Sequence, residues 1–205
     1  MIEMLKDISD YIFNHKEYKT LGQAGERHLY RALIDLGVKK NQIFRNVYIR
    51  HPNSKLTEID VAVVSRKGVL VFERKAYNGH VYGDGNKDKW IQCIGKQKNY
   101  FLSPVLQNEY HVRAMRHFLK ESGVDAPVIP FIVMSRDAKW TLKNIKPEWN
   151  IIEHNGDFAK VYSRIADFPE MIRHYKKICA LMRDSERPPE NVREEHLQSL
   201  GSKRD

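Results

Sequence analysis

Two short runs carry the chemistry in this 205-residue chain: Thr57-Glu58-Ile59-Asp60 and Phe72-Glu73-Arg74-Lys75. Twelve residues separate Asp60 from Glu73. The second run ends an apolar stretch, Val69 to Phe72. Charges at the end of a buried strand are costly unless paired or bound to a metal. Ser65-Arg66-Lys67-Gly68 joins the runs, so together they predict a β-hairpin. With a two-residue Arg66-Lys67 loop, Asp60 falls opposite Glu73 and Glu58 opposite Lys75, all on one face. With a three-residue loop closing at Gly68, Asp60 moves to the other face and a compensating bulge is needed.

Facing carboxylates repel unless a cation lies between them. Asp60, Glu73 and the carbonyl of Arg74 are hard oxygen donors suited to Mg²⁺, with Mn²⁺ as a substitute. Such a set points to metal-assisted phosphodiester hydrolysis. The metal would generate hydroxide and neutralise charge developing on phosphorus. Lys75 would orient the water or stabilise the transition state. The alternative is a surface ladder of salt bridges at strand ends.

The elements around the hairpin add two polar residues on apolar stripes. A helix over residues 19–36 places Glu26 in line with Gly22, Leu29, Leu33 and Leu36. Thr20 and Gln23 form a capping box before it, and Gly37 suits its C-terminal cap. A second helix starts at Ser103-Pro104 and runs to Glu121, with Gln107 in line with Tyr110, Ala114 and Phe118. Glu26 and Gln107 can each be a hydrogen-bonded core residue or a member of the hairpin site.

Strands are expected over 42–50, 56–64, 69–75 and 128–134, with short ones near 80–82 and 150–153. Gly83-Asp84-Gly85-Asn86 predicts a loop, and further helices are expected over 157–166 and 169–182. The order helix, three strands, helix, strand is that of an α/β fold around a mixed sheet.

Several segments resemble the nuclease-related domain family in sequence and order: Gly22-Gln23-Ala24-Gly25-Glu26, Thr57 to Asp60, Gly68 to Lys75, Tyr77 to Gly83, Trp90, and Ser103 to Gln107. The resemblance covers roughly residues 20–135. It implies a PD-(D/E)-x-K nuclease with a restriction-endonuclease-like α-β-β-β-α-β core and extra C-terminal helices. It maps Asp60, Glu73 and Lys75 onto the catalytic motif, with Glu26 and Gln107 in support and Glu26 joining Asp60 and Glu73 toward the metal. Departures are Ile59 in place of Pro, Arg74 in the variable slot, Ala76 for Asn and Ser103 for Asn. None removes a metal ligand. The chain then divides into a leading helix (1–18), a core (19–135), an extension of the same domain (136–183) and a polar, flexible tail (184–205).

Charge supports a polyanion partner. The chain is +9; residues 184–205 hold six acids and four bases, which leaves +11 on residues 1–183. Nucleic acid is the expected partner, DNA ahead of RNA. Lys87, Lys89, Lys96 and Lys98, interleaved with Trp90 and Tyr100, are candidates to hold its backbone and stack on its bases, or else form a solvated basic loop. No apolar run approaches the roughly 18–20 residues of a membrane span. Cys93 and Cys179 are too few for a disulfide framework and fit a reducing, cytoplasmic location. A non-catalytic nucleic-acid-binding module and a partner-binding protein are the competing readings.

Overall fold

A computed structural model describes residues 21–153, 161, 170, 172–186, 188–192 and 194. The expected helix over 1–18, the Thr20 cap, nearly all of the helix over 157–166 and the end of the tail lie outside the described residues. The elements run α1 (Leu21–Asp35), β1 (Ile43–Arg50), β2 (Leu56–Ser65), β3 (Gly68–Lys75), β4 (Gly79–Asp84), β5 (Lys89–Ile94), β6 (Gln97–Leu102), α2 (Pro104–Glu121), β7 (Val128–Met134), β8 (Ala138–Lys143), β9 (Ile151–Glu153) and α3 (Ile172–Ser185). Two mixed sheets flanked by helices result, an α/β architecture consistent with a restriction-endonuclease-like fold.

The first sheet has the order β1-β2-β3-β7-β9. β1, β2 and β3 are antiparallel neighbours, whereas β7 runs parallel to both β3 and β9. β3 and β7 are apolar on both faces because helices cover both. On one face Leu29 and Leu33 of α1 pack with Val61, Val63, Leu70, Phe72 and Phe131. On the other, Val112, Met115 and Leu119 of α2 and Ile178 and Met182 of α3 pack with Ala62, Val64, Val69 and Val71.

Helix ends follow local sequence. Gly37 has φ 87°, and the backbone N–H groups of Gly37 and Val38 close α1 on the carbonyls of Ile34 and Leu33. Pro104 opens α2 as expected, but the Ser103 hydroxyl is buried without a hydrogen-bond partner and makes no capping bond.

The second sheet corrects the expected organisation. Its order is β6-β5-β4-β8, and residues read as loop and basic connector supply β5 and β6. Gly83 belongs to β4, where a side chain would strike the Trp90 ring and Leu142 at 2.7 Å. Gly85 lies against the Asn144 backbone carbonyl, which a side chain would meet first, and against Trp149, which it would meet at 2.6 Å. Both glycines clear space for tryptophans rather than mark only a turn. Trp90 is 1% exposed and donates its indole N–H to the Asp84 carbonyl. Its burial, with Val81, Val105, Ile132 and Met134, joins the two sheets.

Candidate active site

The hairpin register is that of the two-residue loop. Ser65 pairs with Gly68 and Val61 with Phe72. Neither Arg66 nor Lys67 has positive φ, so the turn is not a primed one. The Ser65 side chain holds it instead: its hydroxyl accepts from the Lys67 and Gly68 amides and donates to the Gly68 carbonyl.

Regular pairing of β2 with β3 ends at Val61–Phe72. Beyond it β2 follows β1, with Ile59 level with Val47, while β3 follows β7, with Glu73 level with Ile132. Asp60 and Glu73 therefore stand at a fork between diverging strands. Face alternation also changes phase here: Ile59, Ala62 and Val64 all reach the α2 core, whereas Val61 and Val63 reach the α1 core. Asn46, across the β1–β2 ladder from Asp60, takes φ 51°, a left-handed conformation costly for a non-glycine residue.

The phase change corrects one expectation. Glu58 does not share a face with Lys75; it accepts a hydrogen bond from the Asn46 side chain at 2.8 Å and acts on Glu26. Thr57 takes the α2 side, with Oγ1 3.1 Å from Nδ1 of His111.

Glu73 is the centre of the α2 side. Its side chain is 1% exposed. Lys75 Nζ lies 2.7 Å from Oε1 and also donates to Gln107 Oε1 at 2.7 Å. His111 Nε2 lies 3.2 Å from Oε2, within ion-pair reach but without good hydrogen-bond geometry, so Oε2 keeps free acceptor capacity. A Thr57 hydroxyl donating to Nδ1 leaves Nε2 as the N–H facing Glu73. Burial acts to raise the Glu73 carboxyl, but the His111 contact and the Lys75 charge outweigh it and hold it below the usual glutamate range. Burial likewise acts to lower Lys75, and the Glu73 carboxylate overrides it, so the ammonium stays charged above the usual lysine range.

Asp60 is less fully compensated. Burial, then the charges of Glu73 and Glu26, push its carboxyl well above the ordinary aspartate range, against weaker help from Lys75 and the Arg74 backbone N–H. Glu26 is raised by burial and by Glu58, with Arg45 and Arg74 opposing. The expected residues Glu26, Asp60, Glu73, Lys75 and Gln107 thus converge electrostatically on one place.

His111 was missed by sequence reasoning. The available signal was its position one turn after Gln107, which puts both on one face of α2.

Among the described residues, no group of three or more His, Cys, Asp or Glu side chains is arranged to hold a metal. Two observations nevertheless fit a hard cation: a buried Glu73 Oε2 that has His111 Nε2 beside it at 3.2 Å but no well-aligned hydrogen bond, and an Asp60 carboxyl burdened by neighbouring acids. Asp60 and Glu73 could hold such an ion, with backbone carbonyls and water completing the oxygen shell.

The basic candidates lie elsewhere. Lys87, Lys89, Lys96 and Lys98 are exposed around β5 and β6. The expected stacking role of Trp90 is corrected, because its ring lies inside the core. Tyr100 is 64% exposed on the same sheet.

A family model described as the nuclease-related domain matches residues 21–135. An uncharacterized protein of Bacillus anthracis is 31% identical over 121 residues, covering 59% of this chain and 57% of its own length. The chain thus spans little more than half of that relative. No solved structure matches.

Proposed function

The chain belongs to the nuclease-related domain family, and from that premise we propose that it is a metal-dependent nuclease hydrolysing phosphodiester bonds of DNA at Asp60, Glu73 and Lys75. The observation that carries this reading is the fork. There, a buried Glu73 held by Lys75 and His111 stands beside an Asp60 on which burial, Glu73 and Glu26 weigh more heavily than Lys75 and the Arg74 backbone N–H relieve. Mg²⁺ held by Asp60 and Glu73 would supply hydroxide at neutral pH and neutralise charge on the phosphate.

The protein's own groups have separable roles. Lys75, charged at neutral pH and fixed between Glu73 and Gln107, is a donor for the attacking water or the phosphate rather than a base. Gln107 positions Lys75. His111 and Thr57 fix the Glu73 carboxylate. Glu26 adds negative charge beside Asp60 and favours cation capture there. Ser135 accepts from the Tyr77 backbone N–H, donates to the Tyr77 carbonyl and bonds through its own amide to the Lys75 carbonyl, so the end of β3 is fixed to β7.

The test is incubation of the purified protein with plasmid and with linear DNA, in Mg²⁺, in Mn²⁺ and in excess chelator. Cleavage with either metal and none with chelator is expected. Lys75→Ala is expected to lower the rate by roughly 10²–10³. Full activity in chelator would contradict the reading. A non-catalytic nucleic-acid module is the second reading, favoured by the Lys75 ammonium 2.7 Å from Glu73 Oε1, which takes up an oxygen that a metal would use. DNA binding without cleavage under every condition would establish it instead.

A further inference from the structure

We propose that the outer face of the second sheet is a platform for single-stranded nucleic acid, on which Tyr82 and Tyr100 stack with bases and lysines hold the phosphates. The inference deepens the nucleic-acid reading above and rests on it for its substrate.

Strand alternation separates two faces. Val81, Gly83, Trp90, Gln92 and Phe101 turn inward, while Tyr82, Lys89, Lys98 and Tyr100 turn outward. Register then aligns the outward residues in rows across the strands. One row reads Tyr100, Ile91, Tyr82 and Thr141; the next reads Lys98, Cys93, His80 and Lys139. Aromatic and basic rows thus lie side by side. Neighbouring strands are about 4.8 Å apart, which places Tyr100 and Tyr82 roughly 10 Å from each other.

Exposure and charge select the occupant. The large hydrophobic side chains exposed among the described residues are Tyr82 at 44%, Ile94 at 42%, Tyr100 at 64% and Leu102 at 53%, and every one belongs to this sheet. Tyr82, Tyr100 and Leu102 share the outward face, whereas Ile94 follows Trp90 and Gln92 on the other; exposed apolar surface gathered on one face marks a binding surface. The four strands carry the lysines 89, 98, 139 and 143 against one acid, Asp84, whose carboxylate is taken up by the Asn144 side chain and the Asn86 amide. A strip of cations beside open rings suits a chain that is anionic along its backbone and aromatic at its bases. A duplex hides its base faces, so the single strand is the form that uses both features. His80 stacks on one face of the Tyr82 ring at a centroid distance of 4.2 Å, and the ring stays 44% exposed. His80 also follows Lys75 by five residues, so the platform begins within about 17 Å of the acid cluster.

The test measures binding with metal chelated, so that it stands apart from cleavage. Fluorescence anisotropy would follow labelled oligo-dT, oligo-rU and a duplex of equal length against the full chain. The wild type is expected to bind both single strands more tightly than the duplex. The Tyr82→Ala/Tyr100→Ala double variant is expected to lose ~10-fold or more in single-strand affinity, and Tyr82→Phe/Tyr100→Phe to retain it, because the ring faces are what stack. Lys89→Gln/Lys98→Gln/Lys139→Gln is expected to weaken binding and flatten its salt dependence. Both tyrosines are exposed, so the fold is not at risk. Binding that is unchanged in the double alanine variant would overturn the platform, as would absence of single-strand binding at low salt. Binding without cleavage would leave the platform standing and remove the nuclease.

Discussion

His111 Nε2 stands 3.2 Å from Glu73 Oε2, so a mid-helix imidazole on α2 supports the carboxylate at the end of β3. With Lys75 on the other oxygen, Glu73 is held from both sides while buried. Truncating one partner of such a group removes more than a contact, because it leaves charge unsatisfied in the interior.

His111→Leu is therefore expected to destabilise the metal-free protein by about 1–3 kcal/mol in urea unfolding, with more of the loss near neutral pH than in acid. The sign follows from the lowered Glu73 carboxyl. Its contribution is complete above the unfolded glutamate pKa, about 4.3, and disappears as pH falls through the folded value. Equal loss at pH 3 and pH 7 would show that His111 acts only by packing.

Asp60→Asn is expected to behave in the opposite sense. Its carboxyl is raised by burial and by Glu73 and Glu26. Ionising it thus disfavours folding, and stability declines as pH rises from the unfolded aspartate pKa through the folded one. The neutral amide removes that penalty, so the metal-free variant should melt higher than the wild type at pH 7.5. A lower melting temperature there would mean that Asp60 is stabilised by a partner.

Ser135→Ala removes the hydroxyl that closes on both the N–H and the carbonyl of Tyr77. A loss of about 1–3 kcal/mol is expected from equilibrium unfolding. Nuclease rate should fall as well, since the Lys75 segment is then less firmly attached to β7. Wild-type stability in this variant would show that water replaces the hydroxyl at no loss.

Gly83→Ala tests the junction between the sheets. The new methyl would meet the Trp90 ring and Leu142 at 2.7 Å, and overpacking of this kind costs about 1–3 kcal/mol. Trp90 fluorescence should change together with stability. An unperturbed spectrum and midpoint would mean that the ring shifts freely.

Much of the first sheet was legible in the sequence because its signals are local. The apolar runs, the Ser65 to Gly68 connection and Gly37 lie within one element or one turn of what they specify. One of the two hairpin registers open in the sequence set Asp60 level with Glu73, and the structure keeps that register as far as Val61–Phe72, where the pairing ends. Glu58 was misplaced because Asn46, on a different strand, accompanies a change of phase that no pattern in residues 56–65 encodes. His111 was hidden by a contact 38 residues away in sequence, and only α2 packing on the sheet reveals it. The second sheet escaped notice because lysine, glutamine and asparagine alternate with its inward residues. Gly83 read as a turn former when its service is clearance for Trp90 within β4, while Gly85 does lie in a turn and also makes room for Trp149.

The most direct measurement is calorimetric titration of Mg²⁺ into the wild type and into Asp60→Asn. One saturable site is expected in the wild type and none in the variant, because Asp60 and Glu73 together form the cation site. Indistinguishable titrations, or no saturable heat with either protein, would contradict a metal-dependent mechanism at this fork.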